Sequence, residues 1–255
     1  MFKHRAYVLI FFILCSLRPQ TGAANILRCE AELVERGKQK SYQTTEVIPN
    51  VYHLSFEAHR DMVATFLRFQ EHYESPEFRD KVFSRSKFKK WYRGKHDGHF
   101  TYYGDWAGFN IPSDVLRPFF EGQFHFKTPL ETALLNEFRK LYRSGRKFYI
   151  IGTRTGDAST VDHEVAHGLY YTRPDYKLKV DEVLATIDLT PLHEWLSKSG
   201  YHEAVLNDEA HAYLTTGGAE QILRRKRLFS KGYRVAIAKL QAIYITYSGR
   251  VPAGD

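Results

Sequence analysis

Cysteine is scarce in this chain. Only Cys15 and Cys29 occur among 255 residues. Cys15 lies in an N-terminal segment read below as removable, so the remaining chain has no intramolecular disulfide and must be held by its core. About 230 residues can bury one sizeable core, or two subdomains flanking a cleft. Long hydrophobic runs are scarce too. The apolar run from Ala6 to Leu17 is too short for a membrane span, which needs about 20 residues, and no stable span is expected elsewhere. A strong excess of one charge is also missing. The formal net charge is +8; three of the cations, Lys3, Arg5 and Arg18, lie in the first 24 residues, which carry no acidic residue, leaving +5. That balance gives no nucleic-acid footprint. The densest basic cluster, Arg224-Arg225-Lys226-Arg227, reads as a solvated helix face. Internal repeats and low-complexity linkers are absent.

The first 24 residues have an order of their own. Lys3, His4 and Arg5 precede the apolar run, and the stretch then ends in small residues. This is the pattern of a secretory signal peptide, with cleavage expected near Ala23 or Ala24, and it predicts a secreted or periplasmic protein. Residues 25–45 are polar and read as a flexible N-terminal segment.

What the chain does have is His163-Glu164-Val165-Ala166-His167. On a helix this spacing puts two imidazoles one turn apart with a carboxylate beside them, a metal ligand pair next to a general base. An H-E-x-x-H run arises by accident in roughly one such chain in 25, so its surroundings must decide. They support a helix. Ser159 or Thr160 can cap it, and Asp162 sits near its positive end. Val161, Val165 and Leu169 form an apolar back stripe, with His163, His167, Tyr170 and Tyr171 on the other side. Arg173 before Pro174 ends it. Gly168 inside it costs about 1 kcal/mol relative to Ala and implies a close neighbour. A short strand, 147–152, precedes the helix and is a place where an extended substrate could add as a further strand.

A third ligand has to come from elsewhere. Glu209, in Leu206-Asn-Asp-Glu-Ala-His-Ala-Tyr-Leu214, falls inside an apolar stripe if that stretch is helical. A carboxylate there needs a partner or a cation. Satisfaction by Arg, Tyr or backbone donors is the plainer alternative, and Glu182, His211, His202 and Glu194 are rival ligands. No third His follows shortly after Gly168, as the metzincin form would require.

With these residues in view, Lys147 to Tyr213 resembles the zincin superfamily of zinc metallopeptidases, and the gluzincin branch in particular. Asn207 and Glu209 are here separated by Asp208, and the spacing from His167 to Glu209 is longer than in the thermolysin type. The resemblance implies Zn2+ held by His163, His167 and Glu209, with water in the fourth position and its pKa lowered toward about 7. Glu164 would act as general base, and Tyr213 and His211 are leading donors to the developing oxyanion, with Tyr170, Tyr171 and His202 as further candidates. Asp208 or Asp162 would orient a ligand histidine. A peptide or protein would be the substrate. A non-catalytic secreted metal-binding or interaction protein, with a structural HExxH helix, is the alternative, and a secreted protease acting on a host protein is a third.

Elsewhere, apolar spacing predicts one or two helices over 51–74. Ser75-Pro76-Glu77 reads as the start of a helix carrying Phe78, Val82, Phe88 and Trp91. Phe100 to Ile111 is aromatic and β-rich. Thr128-Pro129-Leu-Glu131 is a capping box opening a helix to about Tyr142. Thr190-Pro191 opens a helix closed near Gly200, and Gly217-Gly218 breaks the chain before the last helices. The expected fold is α+β and mostly helical, a zincin-like two-lobed domain over 46–255 with a small sheet beside the HExxH helix. Residues 46–146 would form a mainly helical lobe and 147–255 the zinc-binding lobe.

Overall fold

A computed structural model describes residues 41–225, 229 and 231–252. The expected signal segment, its cleavage point, Cys29, and Lys226 and Arg227 of the basic cluster lie outside the described residues.

Strand β1 (Tyr42–Ile48) turns into β2 (Val51–Phe56) and pairs with it antiparallel. Asn50 makes the turn in the left-handed region, at φ 67°, a conformation Asn tolerates better than most residues. Two expectations change here. Residues 42–45, expected to be loose, belong to β1, and Val51–Phe56, expected to be helical, is a strand. Leu54 and Phe56 alternate on one buried face. That period of two was masked by the helical spacing of the apolar residues that follow.

β4 (Tyr149–Arg154) runs parallel to β2, and β3 (Gly108–Pro112) pairs antiparallel with β4. The order β1-β2-β4-β3 puts β4 inside the sheet, with its hydrogen-bonding edges already taken on both sides. The strand before the HExxH helix therefore cannot accept a further strand. The free edge on its side of the sheet is β3.

Helix α1 (His59–Glu74) packs on β3 and β4. The expected helix start at Ser75-Pro76 is a turn. Asp80 takes a left-handed φ of 56°, and helix α2 (Arg85–Lys95) begins later, its Ser84 cap accepting from Lys87 N at 3.1 Å. Helix α3 (Pro129–Arg143) opens on the expected Thr128/Glu131 capping box. Glu131 is fully buried and also takes two hydrogen bonds from Arg68, at 2.6 and 2.7 Å. Beyond β4 come α4 (Ala158–Thr172), α5 (Pro174–Leu184), α6 (Thr190–Ser199), α7 (Leu206–Thr216), α8 (Ala219–Arg225) and α9 (Lys231–Ser248). Gly200 ends α6 at φ 102°, as expected of a C-terminal glycine.

The fold is α+β and mostly helical, with a small mixed sheet packed on both faces. One apolar cluster joins Leu54, Phe56 and Ile150 to α1, α2 and α3. The other joins Val51, Tyr149 and Ile151 to α4, α5, α7 and α9. The two halves of the core meet at the sheet, whose strands supply side chains to both.

Candidate metal centre

Helix α4 is fixed from behind. Val161, Val165 and Leu169 are buried on the sheet side, each burial contributing about 1.5–3 kcal/mol. Gly168 has the close neighbour its position implied, and that neighbour is a side chain. A Cβ there would stand 2.8 Å from both methyls of Val51. The cap is two or three residues earlier than expected: Asp157, rather than Ser159 or Thr160, accepts from Thr160 N at 3.1 Å. The helix ends at Thr172, before Pro174.

Helix α7 lies against α4 and brings Glu209 to the histidines. His163, His167 and Glu209 each offer a donor atom, all within 4.8 Å of one another. His163 Nε2 and His167 Nε2 are 3.3 Å apart. Glu209 Oε1 is 3.6 Å from His167 Nε2, and Oε2 is 4.0 Å from His163 Nε2. Two ligands about 2.0–2.1 Å from one tetrahedral ion stand roughly 3.3 Å apart, so the nitrogens already have the right separation. The carboxylate needs only a small approach.

The outer contacts aim both Nε2 lone pairs at this point. Thr216 Oγ1 donates to Ala212 O at 2.8 Å and lies 3.3 Å from His163 Nδ1, whose hydrogen it can accept. Asp208 Oδ1 is 2.9 Å from His167 Nδ1. A proton on each Nδ1 leaves each Nε2 free as a ligand, the usual arrangement for a metal-binding histidine. Of the two orienting carboxylates considered, Asp208 is in place. Asp162 is taken by Arg250 Nε at 2.7 Å and Tyr244 OH at 3.2 Å, which tie the C-terminal stretch to α4.

The electrostatics call for a cation. Glu164 and Glu209 are 6% and 2% exposed, and Oε2 of each has no hydrogen-bond partner. Burial raises Glu209 to about 8, against the pull of His167 and with further repulsion from Asp208 and Glu164. Burial likewise raises Glu164 to about 7, with His167 and a hydrogen bond from Asn110 working the other way. Burial opposes charge on Asp208 as well, yet His167 and His211 hold it down to about 2. Desolvation disfavours a charged His167, but Asp208 and Glu209 outweigh it and keep that ring protonated well above the ordinary range. Protons on His167 and Glu209 relieve this crowding of carboxylates. A divalent ion satisfies the same carboxylates directly. The buried cluster can hold a metal ion.

Strand β3 borders Glu164. A Cβ on Gly108 would come within 2.8 Å of Glu164 Oε1 and 2.5 Å of Thr160 Cγ2, so glycine makes the room the carboxylate occupies. Asn110 Oδ1 accepts from Tyr149 OH at 2.6 Å while its amide serves Glu164.

The remaining candidates separate. Tyr213 lies at the centre, its ring edge-on to His163 at 4.9 Å. Tyr201, which the sequence reading passed over, lies beside Glu209 and Tyr213, close enough for the three to act on one another's proton affinity. His211 does not fill the donor role expected of it. It is fully buried, with Nε2 2.7 Å from Tyr176 OH and Nδ1 3.6 Å from Asp208, so it faces the support behind His167. Tyr170 OH donates to Asp181 at 2.6 Å, and Tyr171 OH pairs with Ser113 Oγ at 3.1 Å. His202 caps a short turn by accepting from Ala204 N. Glu182 and Glu194 are exposed. Nothing in the sequence marked Tyr201, Asn110 or Glu74, a buried carboxyl on which Glu209, His167 and Glu164 act, because only the fold brings them to α4.

No family model, no curated protein and no solved structure matches this chain.

Proposed function

We propose that this protein is a zinc-dependent peptidase that hydrolyses peptide bonds with Glu164 as general base. The convergence of His163, His167 and Glu209 beside the unpartnered oxygen of Glu164 carries this reading. Closed structural zinc sites are usually built from four protein ligands, whereas three ligands and an open position are the catalytic pattern. Two imidazoles and one carboxylate suit zinc among the common metals. When bound there, zinc would supply Lewis-acid polarisation and lower the pKa of water at the site.

The chain's own residues supply the rest. Glu164 takes a proton from the attacking water and hands it to the leaving amine. Asn110, on β3, stands beside that carboxylate and favours its charged form. The hydroxyls of Tyr201 and Tyr213 stand beside Glu209, suited to donate to the oxygen that gains charge. β3 is an edge strand next to Glu164, and an extended peptide that displaces Gln70 Oε1 from Asn110 N (3.4 Å) can align along it by main-chain hydrogen bonds. Export directed by the first 24 residues belongs to the same proposal. Among the described residues no helix is long and apolar enough to cross a membrane.

The test pairs the zinc-loaded chain with Glu164→Gln on a mixed peptide library read by mass spectrometry. Wild type should cleave, and the variant should lose about 10²–10⁴-fold in rate while keeping its zinc. A variant as active as wild type, or a zinc-loaded wild type that cleaves no peptide, would contradict the proposal.

A further inference from the structure

Helix α2 breaks two rules of local electrostatics. Six of its 11 residues are Lys or Arg, and none is acidic. Arg85 and Lys87 stand in its first turn, where the helix dipole favours carboxylates. Arg85, Lys89 and Arg93 follow one another at i, i+4, so like charges share a stripe and repel. Neighbouring carboxylates do not balance them. Among the described residues Arg85, Lys87, Lys90, Arg93 and Lys95 form no ion pair. Asp80 and Glu77 are taken by Arg79 and Lys81, just before the helix, at 3.6 and 3.4 Å. Lys89 and Arg93 both lie over the Phe100 ring, at 5.7 and 5.9 Å, while Lys87, Lys90 and Lys95 are exposed.

Exposed apolar groups stand near the N-terminal end of this helix. Phe126 is 91% exposed and Val82 48%. The loops that carry them meet beneath the surface, where the rings of Phe83 and Phe124 are 5.9 Å apart and Phe83 packs on Phe88 of α2 at 6.2 Å. Phe126 does not sit on a loose tip. Arg68, from its buried pair with Glu131, donates Nη2 to Phe126 O at 2.7 Å. Lys127 Nζ donates to Phe124 O at 2.8 Å, and Thr128 then caps α3. The backbone is thus pinned on both sides of a phenyl ring that lies almost wholly in water. Excess cations beside a fixed apolar wedge suit an anionic bilayer, with ammonium groups at the headgroups and the ring at the acyl boundary. A soluble polyanion would use the cations but leave Phe126 in water.

We infer that this face, α2 with the loops at 81–84 and 125–127, docks the protein on an anionic phospholipid surface. Lys87, Lys90 and Lys95 meet the headgroups, and Phe126 and Val82 enter the boundary beneath them. The inference stands independently of the peptidase reading, and it requires no helix to cross the bilayer.

The test sediments the full chain with vesicles of phosphatidylcholine alone, or of phosphatidylcholine with about a third phosphatidylserine. The neutral vesicles read any contribution of the apolar run Ala6–Leu17, which every variant shares. Wild type should bind the mixed vesicles about 100-fold or more tighter than the neutral ones at about 0.1 M salt. Raising the salt to about 0.5 M should remove most of that preference. Each cation at the surface contributes about five-fold, so the triple variant Lys87→Gln/Lys90→Gln/Lys95→Gln should bind the mixed vesicles about 30–100-fold more weakly. Phe126→Ser should weaken binding about ten-fold. All four positions are exposed, and an unchanged Tm confirms that the variants fold. Equal binding of wild type to both kinds of vesicle would overturn the inference. So would a triple variant, or a Phe126→Ser variant, that binds the mixed vesicles as wild type does. Duplex DNA bound more tightly than the mixed vesicles would mark the face as a site for a soluble polyanion and overturn it as well.

Discussion

Gly168→Ala should destabilise the chain in one background and stabilise it in another. The new methyl would sit 2.8 Å from Val51 Cγ1 and Cγ2 and 3.4 Å from Tyr149 Cδ1. Carbon atoms ordinarily approach to about 3.5–4.0 Å. Val51 is fully buried in β2 and has nowhere to go. Overpacking of this kind costs about 1–3 kcal/mol, while replacing a mid-helix glycine by alanine returns about 1 kcal/mol. The net expectation is a loss of about 1 kcal/mol, or roughly 2–4 °C in Tm for a chain of this size. With Val51→Ala in place the obstacle is gone, and Gly168→Ala should then gain about 1 kcal/mol. The sign reverses between backgrounds, a coupling of about 2 kcal/mol. Urea unfolding followed by tryptophan fluorescence, with chelator present to remove metal stabilisation, measures all four corners of the cycle. Equal stabilisation by Gly168→Ala in both backgrounds would refute the close contact between α4 and β2, and with it the explanation for glycine beside His167.

Three further outcomes follow from the metal centre. Asp208→Asn should keep the fold and weaken zinc binding about 10–100-fold, because it removes the charge that orients His167; a chelator competition titration giving the wild-type affinity would contradict that role. Zinc uptake near pH 7 should release more than one proton per ion: the ligands bind as neutral imidazole and carboxylate, whereas the metal-free chain protonates His167 and raises Glu209 to about 8. Apparent affinity should therefore rise from pH 6 through about 8, and calorimetry in buffers of different ionisation enthalpy showing no proton release would refute the protonated resting site. The metal-free chain should itself lose stability over that range. A carboxyl whose folded pKa is raised favours folding fully below about 4.5 and loses that contribution as pH climbs through about 8, so a Tm under chelator that rises from pH 5 to 8.5 would show the Glu209 shift to be wrong.

Much of the His163/His167/Glu209 cluster was legible because two of its members sit one turn apart on a single helix. The i, i+4 histidines, the Val161/Val165/Leu169 stripe and the Pro174 stop describe α4 without any partner, and a glutamate inside an apolar stripe pointed to Glu209. The Thr128/Glu131 capping box was legible for the same reason, since its bonds close within four residues. Pairing across long separations was not. Val51–Phe56 became a strand through β1 and β4, 98 residues apart in the latter case, and its own spacing blended into that of α1. β3 and β4 could not be assigned edge or interior positions before their partners were known. His211 looked like a donor because it shares a helix with Glu209, but two residues of helical rotation carry it behind Asp208 to Tyr176. Tyr201 and Glu74 reach the centre only through tertiary packing.

Elemental mass spectrometry of the purified chain, alongside His167→Ala and Glu209→Ala, tests the metal centre most directly. One zinc per chain in wild type, lost in both variants with the fold retained, is the expected result. Zinc retained in Glu209→Ala would remove the third ligand. No zinc in any of the three, even after reconstitution, would contradict the metal centre and every step built on it.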